Sequence, residues 1–248
     1  MNLKETLRTK QLTIGSWIQI GHPVIAEILS NYYDWLAVDL EHTDISLAQT
    51  TNLFRAMGNA VPLVRVREND TLAIRQVLDM GAQGVIVPLV NTREKAIQAL
   101  QAAKYAPDGV RGHCFYRMNN YGSGFEEYLE EAKDIVVVVM VESREAIENI
   151  DSIAGSGVDA LLIGLYDLSG SYGIPGNTTH PLILEARRKV LTACDKAGIS
   201  AGIHIVTPDE QQIKRVINEG FTFLAVAGDT MFLHKIASQF RSAVWRYG

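Results

Sequence analysis

The chain has 248 residues, 47% of them hydrophobic, which suffices for one large α/β core or for two small domains. Its formal net charge is −5, and its basic residues are scattered, so a nucleic acid partner is not expected. Residues 1–10 are polar and lack the apolar core of a signal peptide, and no apolar run approaches the roughly 20 residues of a membrane span. The two cysteines, Cys114 and Cys194, lie far apart, which argues against a disulfide framework or a zinc site. We therefore predict a cytoplasmic protein without a membrane partner.

Short apolar runs alternate with segments of helical period along the whole chain. Several of these runs lack polar alternation, which indicates strands that are buried on both faces, as in a parallel sheet. The predicted strands are Thr13–Ile20, Trp35–Asp39, Val61–Val66, Gly84–Pro88, Ile135–Val141, Val158–Gly164, Ser200–Ile205 and Thr222–Ala227.

Helix signals fill the gaps between these strands. Asp70 is a candidate N-cap for a helix that ends near Gly81, and Thr207-Pro208-Asp209-Glu210 reads as a capping box. Eight strands, each followed by a helix, in about 250 residues predict an α/β fold, a single (β/α)8 TIM barrel over residues 1–248. A doubly wound sheet is the alternative, but no G-x-G-x-x-G or P-loop motif follows a strand. The apolar C-terminal segment either completes the barrel as its last helix or docks on another subunit.

Ionisable side chains gather where the predicted strands end. Active sites of such barrels lie at the C-terminal ends of the strands, and six of these ends carry ionisable groups. Burying so many of these groups without partners would be costly, so they predict a site. The residues are Asp39, Glu41, His42, Arg65, Glu142, Asp167, His204 and Asp229.

Glu142 and Asp167 are candidate metal ligands. Carboxylate oxygens suit a hard divalent cation such as Mg2+ or Mn2+, and two protein ligands leave positions for water and substrate. The alternative is that each acid only caps the helix that follows it, which is our interpretation of Asp229.

Arg65 lies among apolar neighbours and requires an anion, either a fixed carboxylate or a substrate oxygen that gains charge during reaction. Asp39 is placed to orient Arg65 or the substrate. His42 is a candidate general base, acting directly or through water, or else a surface histidine. His204 is either a core histidine or part of a pocket wall. No lysine falls at a strand end, which disfavours Schiff-base chemistry.

A series of short segments, in this order over roughly residues 10–235, resembles the HpcH/HpaI class II pyruvate aldolases of the phosphoenolpyruvate/pyruvate barrel superfamily. The segments are Ile14-Gly15-Ser16-Trp17, Asp34-Trp35-Leu36-Ala37-Val38-Asp39-Leu40-Glu41-His42, Pro62-Leu63-Val64-Arg65, Leu78-Asp79-Met80-Gly81-Ala82, Val87-Pro88-Leu89-Val90-Asn91-Thr92, Gly109-Val110-Arg111-Gly112, Val141-Glu142-Ser143, Ile163-Gly164-Leu165-Tyr166-Asp167-Leu168, Gly176-Asn177 and His180-Pro181.

The resemblance implies a metal-dependent carbon–carbon lyase that cleaves or forms 2-oxo-acid aldols through a pyruvate-type enolate. It implies that Glu142 and Asp167 bind Mg2+ or Mn2+, with Co2+ as an alternative. His42 matches the catalytic histidine, Arg65 the arginine that steadies the enolate, and Asp39 an acid beside that arginine.

The resemblance also implies contributions from backbone and from a second subunit. Asp79 matches an acid that is lent across a subunit interface to the histidine. Backbone amides around Gly164, Leu165 and Tyr166 would bind the carboxylate of pyruvate or oxaloacetate, and the second substrate would be an aldehyde. Members of this family are typically homohexamers, built as trimers of dimers.

Three residues depart from the family pattern. Met140 stands where glutamine is usual, Leu165 where proline is usual, and Leu40 where glycine is common. These departures keep two alternatives open. One is a condensation of oxaloacetate with an acyl-CoA on the same barrel, as in a citrate synthase, and the other is a metabolite-binding barrel without catalysis.

Overall fold

Eight parallel strands form a closed barrel in the order in which they occur along the chain, in a computed structural model that describes residues 1–245. This arrangement confirms the predicted (β/α)8 fold. The strands are β1 Thr13–Ile18, β2 Trp35–Asp39, β3 Val61–Arg65, β4 Gly84–Val87, β5 Val136–Val141, β6 Ala160–Ile163, β7 Ser200–Ile205 and β8 Phe223–Gly228.

Helices connect the strands and cover the outside of the barrel. They are α1 Leu3–Arg8, α2 Pro23–Leu29, α3 Leu47–Ala56, α4 Thr71–Asp79, α5 Arg93–Ala103, α6 Phe125–Glu131, α7 Arg144–Glu148, α8 Ile150–Ala154, α9 Leu165–Ser171, α10 Pro181–Ala197, α11 Glu210–Glu219 and α12 Asp229–Trp245. Short 3-10 turns occur at Arg117–Gly122 and Ala132–Asp134.

Side-chain caps set several helix starts. Asp70 accepts a hydrogen bond from the amide of Ala73 and begins α4, as its sequence predicts. The capping box predicted from Thr207 is wrong by two residues. Asp209 is the N-cap of α11, because its carboxylate accepts from the amide of Gln212 at 2.7 Å, and Pro208 therefore lies outside the helix.

The barrel interior is filled by side chains, not open as a pore. The rings of Trp35 and Phe223 stack at 4.4 Å between centroids. Gly15 makes room for them, since a Cβ atom there would approach the Trp35 ring to 2.0 Å. At the lower end, Leu3 and Leu7 of α1 pack into the same inner cluster and close it. The interior is therefore closed at its lower end by α1.

The junction of β1 and β8 differs slightly from prediction. β1 ends at Ile18 instead of Ile20, because the amides of Gln19 and Ile20 donate to the buried carboxylate of Asp229. Asp229 also accepts from the amide of Thr230, so it caps α12 as expected and ties that helix to the end of β1.

The outer part of α12 does not cover the barrel. Its first turn lies against β8 and β1, but its large apolar side chains remain exposed. These residues are Leu233, Ile236, Phe240, Val244 and Trp245. Among residues 1–245, no helix combines the length and the apolar character needed to cross a membrane.

Candidate functional site

Asp39 and Arg65 form an ion pair at the upper end of neighbouring strands. The two residues are register partners in β2 and β3, so their side chains meet inside the barrel mouth. The Nε and Nη2 atoms of Arg65 donate to the two carboxylate oxygens of Asp39 at 2.9 and 2.7 Å. Burial raises the pKa of Asp39, but the hydrogen bonds and the charge of Arg65 outweigh it and lower the pKa below its ordinary value. Asp39 therefore fixes the guanidinium, as its position in the sequence predicts.

Glu41 is a second acid beside the same arginine, and the sequence analysis assigned it no role. Its Oε2 atom lies 3.2 Å from Arg65 Nη1 and 3.5 Å from His42 Nε2. Burial, and then the charges of Asp39 and Asp167, raise the pKa of Glu41 in spite of Arg65 and His42. The segment after β2 is held in place by Asp39, which accepts from the amides of Glu41 and His42. His42 is 62% exposed at the mouth, so it is reachable by a substrate.

Glu142 follows β5 and is 4% exposed. Its Oε1 atom accepts from the amide of Leu89 at 2.7 Å, and Leu89 adopts a left-handed conformation (φ 54°) that aims this amide inward. Burial raises the pKa of Glu142 to about 7, and the charges of Glu41 and Asp167 act in the same direction. Its ionised form therefore lacks sufficient positive partners within the protein.

Asp167 lies in the first turn of α9, directly after β6. Gly164 precedes this turn and leaves space for Glu142, because a Cβ atom at position 164 would lie 2.7 Å from Glu142 Oε2. The chain thus brings Glu41, Glu142 and Asp167 near enough to interact electrostatically, as the sequence predicts for the last two.

This set of groups fits a divalent cation. The pKa of Glu142 is raised by burial and then by the charges of Glu41 and Asp167, so an added positive charge would stabilise its ionised form. Carboxylate oxygens are the preferred ligands of Mg2+ and Mn2+. Within residues 1–245 there is no group of three or more His, Cys, Asp or Glu side chains with the geometry of a metal site. Glu142 and Asp167, the two predicted ligands, therefore remain candidates to hold such an ion.

Trp17 and His204 form the opposite wall of the mouth. The Arg65 guanidinium carbon lies 4.6 Å from the centre of the Trp17 ring, and the Trp17 and His204 rings meet edge-on at 5.7 Å. His204 therefore belongs to the mouth of the barrel and not to the packing between barrel and helices.

Asp79 is not brought to His42 within one chain. It ends α4 on the outside of the barrel, where its carboxylate accepts from Arg111 Nη2 at 2.8 Å. A groove of about 500 Å³ runs beside it and is partly lined by Leu47, Phe115 and Tyr116.

The structure assigns a position beside Arg65 to Glu41, and it adds two site residues, Gln19 and Leu89, that the sequence analysis did not single out. Glu41 was visible as an acid next to His42, two residues after Asp39. Gln19 donates from Nε2 to Asp39 at 3.2 Å and accepts from Thr230 at 2.7 Å, but its neighbours in the sequence give no sign of this. The contribution of the Leu89 amide could not be predicted, because no sequence pattern indicates a left-handed backbone at a leucine.

A (β/α)8 barrel with a cluster of carboxylates, an arginine and a histidine at the C-terminal ends of its strands has the arrangement of a barrel enzyme. A sequence profile of the HpcH/HpaI aldolase/citrate lyase family matches residues 13–235. The chain belongs to this family and is an enzyme, a carbon–carbon lyase. The predicted family and the predicted aldolase-type class are thereby confirmed, and a barrel without catalysis is disfavoured.

Relatives of known name and structure agree with this membership. The chain is 34% identical to a 5-keto-4-deoxy-D-glucarate aldolase of Escherichia coli O139:H28 (strain E24377A / ETEC) over 232 residues, 91% of this chain and 90% of that one. A solved HpcH/HpaI aldolase/citrate lyase family protein from Burkholderia cenocepacia J2315 superposes with a TM-score of 0.92 at 29% identity and 98% coverage of both chains. The citrate synthase SbnG superposes with a TM-score of 0.86 at 27% identity, covering 99% of this chain and 98% of that one.

Proposed function

We propose that this protein is a divalent-metal-dependent aldolase that cleaves or forms the aldol of a 2-oxo acid, pyruvate or a close analogue, with an aldehyde. The observation that carries the proposal is the placement of Glu142, Asp167 and Glu41 at the barrel mouth, near enough to interact electrostatically, with Arg65 beside Glu41. An enolate forms when such a substrate reacts, and its negative oxygen needs fixed positive charge. The mouth offers one arginine together with a cation-binding set of acids, which matches that need.

Glu142 and Asp167 would hold the metal ion, Mg2+ or Mn2+ or, alternatively, Co2+. When bound, the ion supplies Lewis-acid stabilisation of charge on the substrate oxygens. The amide of Leu89 orients Glu142, and Gly164 leaves the space that Glu142 occupies. The amides around Gly164, Leu165 and Tyr166 would bind the substrate carboxylate.

Arg65 stabilises the enolate oxygen through its guanidinium, which Asp39 holds in one orientation by two hydrogen bonds. A fixed donor needs no reorientation when charge develops on the substrate, and this is the source of its catalytic effect.

His42 moves the proton between solvent and the reacting hydroxyl of the aldol. Its ring is exposed at the mouth, and its Nε2 atom lies 3.5 Å from Glu41 Oε2, within reach of a reacting hydroxyl directly or through water. The family resemblance suggests that Asp79 of a neighbouring subunit also pairs with His42. We propose a homohexamer, a trimer of dimers, in which the exposed apolar row of α12 is covered.

The test of this function removes one metal ligand. Glu142→Gln keeps size but loses charge, and it is expected to weaken Mn2+ binding by at least the roughly 10- to 100-fold that loss of an outer partner causes. Pyruvate release from an aldol should fall in parallel. Glu148→Gln, on the exposed surface of α7, is the control and should behave as the parent does. Metal-dependent turnover that survives in Glu142→Gln would refute the assignment.

A second candidate is the condensation of oxaloacetate with an acyl-CoA. Met140 and Leu165, which depart from the aldolase pattern, favour it, as does the likeness to the citrate synthase SbnG. Incubation with oxaloacetate, acetyl-CoA and metal separates the two functions, because only condensation releases a free thiol.

A further inference from the structure

His204 is a polar side chain at the barrel mouth whose Nε2 atom is buried. It lies at the upper end of β7, where Ile203 and Ile205 pack outward against the helices, so alternation along the strand turns His204 inward. Its register partner in β8, Ala225, belongs to the inner cluster. The side chain therefore faces the space above the barrel core, next to Trp17 and near Arg65.

Two polar atoms at this wall have no partner. Trp17 Nε1 and His204 Nε2 are both buried, and neither makes a hydrogen bond to any part of the chain that the structure describes. Leaving such a group unpaired costs about 1–3 kcal/mol each. Two such atoms on rings that are in contact, 5.7 Å apart between centroids, point to a group from outside the protein as their partner.

The protonation state of His204 determines what kind of partner fits. Burial and, after it, the charge of Arg65 lower the pKa of His204 to about 4, although the backbone of Ala227 and the charge of Asp39 act in the opposite direction. The ring is therefore neutral at pH 7, with one donor nitrogen and one acceptor nitrogen. With its N–H directed to the carbonyl of Ala227, the acceptor nitrogen is left for a ligand.

We propose that His204 and Trp17 bind a hydroxyl group on the aldehyde portion of the substrate, so that the enzyme prefers hydroxyaldehydes to unsubstituted aldehydes. A hydroxyl is both donor and acceptor: it donates to His204 and accepts from the indole N–H of Trp17. A methyl group at the same place leaves both protein groups unpaired. This inference rests on the proposed aldolase function, because it assigns the second substrate of that site.

The experiment compares glycolaldehyde with acetaldehyde, which differ by one hydroxyl, as partners of pyruvate on the metal-loaded enzyme. The parent is expected to show a kcat/KM at least about tenfold higher for glycolaldehyde, because a polar pocket rejects the analogue that lacks the hydroxyl. In His204→Leu the ratio of the two kcat/KM values should fall at least about tenfold, mainly through the KM for glycolaldehyde. His204→Gln, which keeps an acceptor oxygen, should restore much of the ratio. Trp17→Phe should lower it.

A surface control is His234→Leu on α12, which should leave the ratio unchanged. The inference is overturned if the parent does not prefer glycolaldehyde, or if His204→Leu slows both aldehydes equally, as it would if the two atoms merely shared a buried water. Exchange of pyruvate methyl protons with D2O, measured on the metal-loaded parent without aldehyde, tests the proposed function separately. If pyruvate protons exchange but the enzyme does not prefer glycolaldehyde, only the hydroxyl site is refuted. If pyruvate protons do not exchange, the aldolase assignment itself is refuted.

Discussion

Asp39 is the residue on which the geometry of the barrel mouth depends most directly. It is fully buried, and its carboxylate accepts from Arg65, Gln19 and two backbone amides. The sequence places Asp39 and Arg65 at the ends of adjacent strands, and parallel pairing brings strand ends together. The pair was therefore predictable. Glu41 reaches the same arginine from a loop, and its path could not be inferred from strand periodicity.

Asp39→Asn should destabilise the protein by about 3–5 kcal/mol at pH 7, because it leaves the buried guanidinium with less compensating charge. The pKa of Asp39 is lowered in the folded state, so its stabilising effect is present above the unfolded value of 3.8 and is lost as pH falls through the folded pKa. Urea unfolding of parent and variant between pH 8 and pH 3 measures this. A difference in stability that grows toward acid pH would contradict the prediction.

Leu89 gives a second prediction about a single residue. Its left-handed backbone is needed to aim an amide at Glu142, and its side chain is 56% exposed, so it adds little packing. Leu89→Val should cost about 1–2 kcal/mol, since a β-branched residue is strained at positive φ. Leu89→Gly is the matched control and should retain stability within about 1 kcal/mol. Equal stability of the two variants in thermal unfolding would show that the backbone there is not strained.

At the scale of elements, the join between β6 and α9 matters most, because it must pass close to Glu142. Gly164→Ala should displace the Glu142 side chain and lower Mn2+ affinity at least about tenfold while the barrel stays folded. Gly170→Ala, later in the same helix, has open space at its Cβ and is the control. Calorimetric titration with Mn2+ gives the affinities, and circular dichroism checks the fold. Unchanged affinity in Gly164→Ala would place Glu142 outside the metal site.

Element boundaries illustrate where sequence reasoning succeeds and where it stops. Buried strands were predictable because runs such as Val136–Val141 are apolar throughout. The predicted end of β1 and the predicted start of α11 were each wrong by two residues. In both cases an aspartate carboxylate accepts hydrogen bonds from backbone amides at the boundary, which the sequence pattern did not show. At β1 the contact joins distant parts of the chain, Asp229 and Gln19, which a local pattern cannot show. At α11 the contact is local, and Asp209 caps the helix instead of Thr207.

At the scale of the whole molecule, α12 carries its apolar residues away from the barrel. The sequence allowed this helix either to complete the barrel or to dock elsewhere, and helical periodicity alone cannot distinguish the two. A row of exposed side chains from Leu233 to Trp245 is the kind of surface that associates.

Phe240→Glu should therefore shift the protein to a smaller assembly, because Phe240 is 70% exposed in the single chain and a charge there opposes burial against a second copy. Its neighbour Gln239, changed to Glu, adds the same charge outside the apolar row and should leave the assembly intact. Light scattering coupled to size-exclusion chromatography reports the masses. If both variants keep the mass of the parent, α12 is not part of the interface.

Helix α1 precedes the barrel strands in the sequence, but its contacts are with segments that are made much later. Lys4 pairs with Asp159 at 3.4 Å, and the Ser200 hydroxyl donates to the carbonyl of Leu7. β1 likewise finds its second neighbour only in β8. During synthesis on a ribosome, α1 emerges before the barrel strands, and Leu3 and Leu7 stay uncovered until nearly all of the barrel has followed. Helix α1 is thus made before the barrel but takes its final place only after the barrel strands have been made. Proteins that bind nascent chains would therefore meet α1 while its apolar side chains are still uncovered.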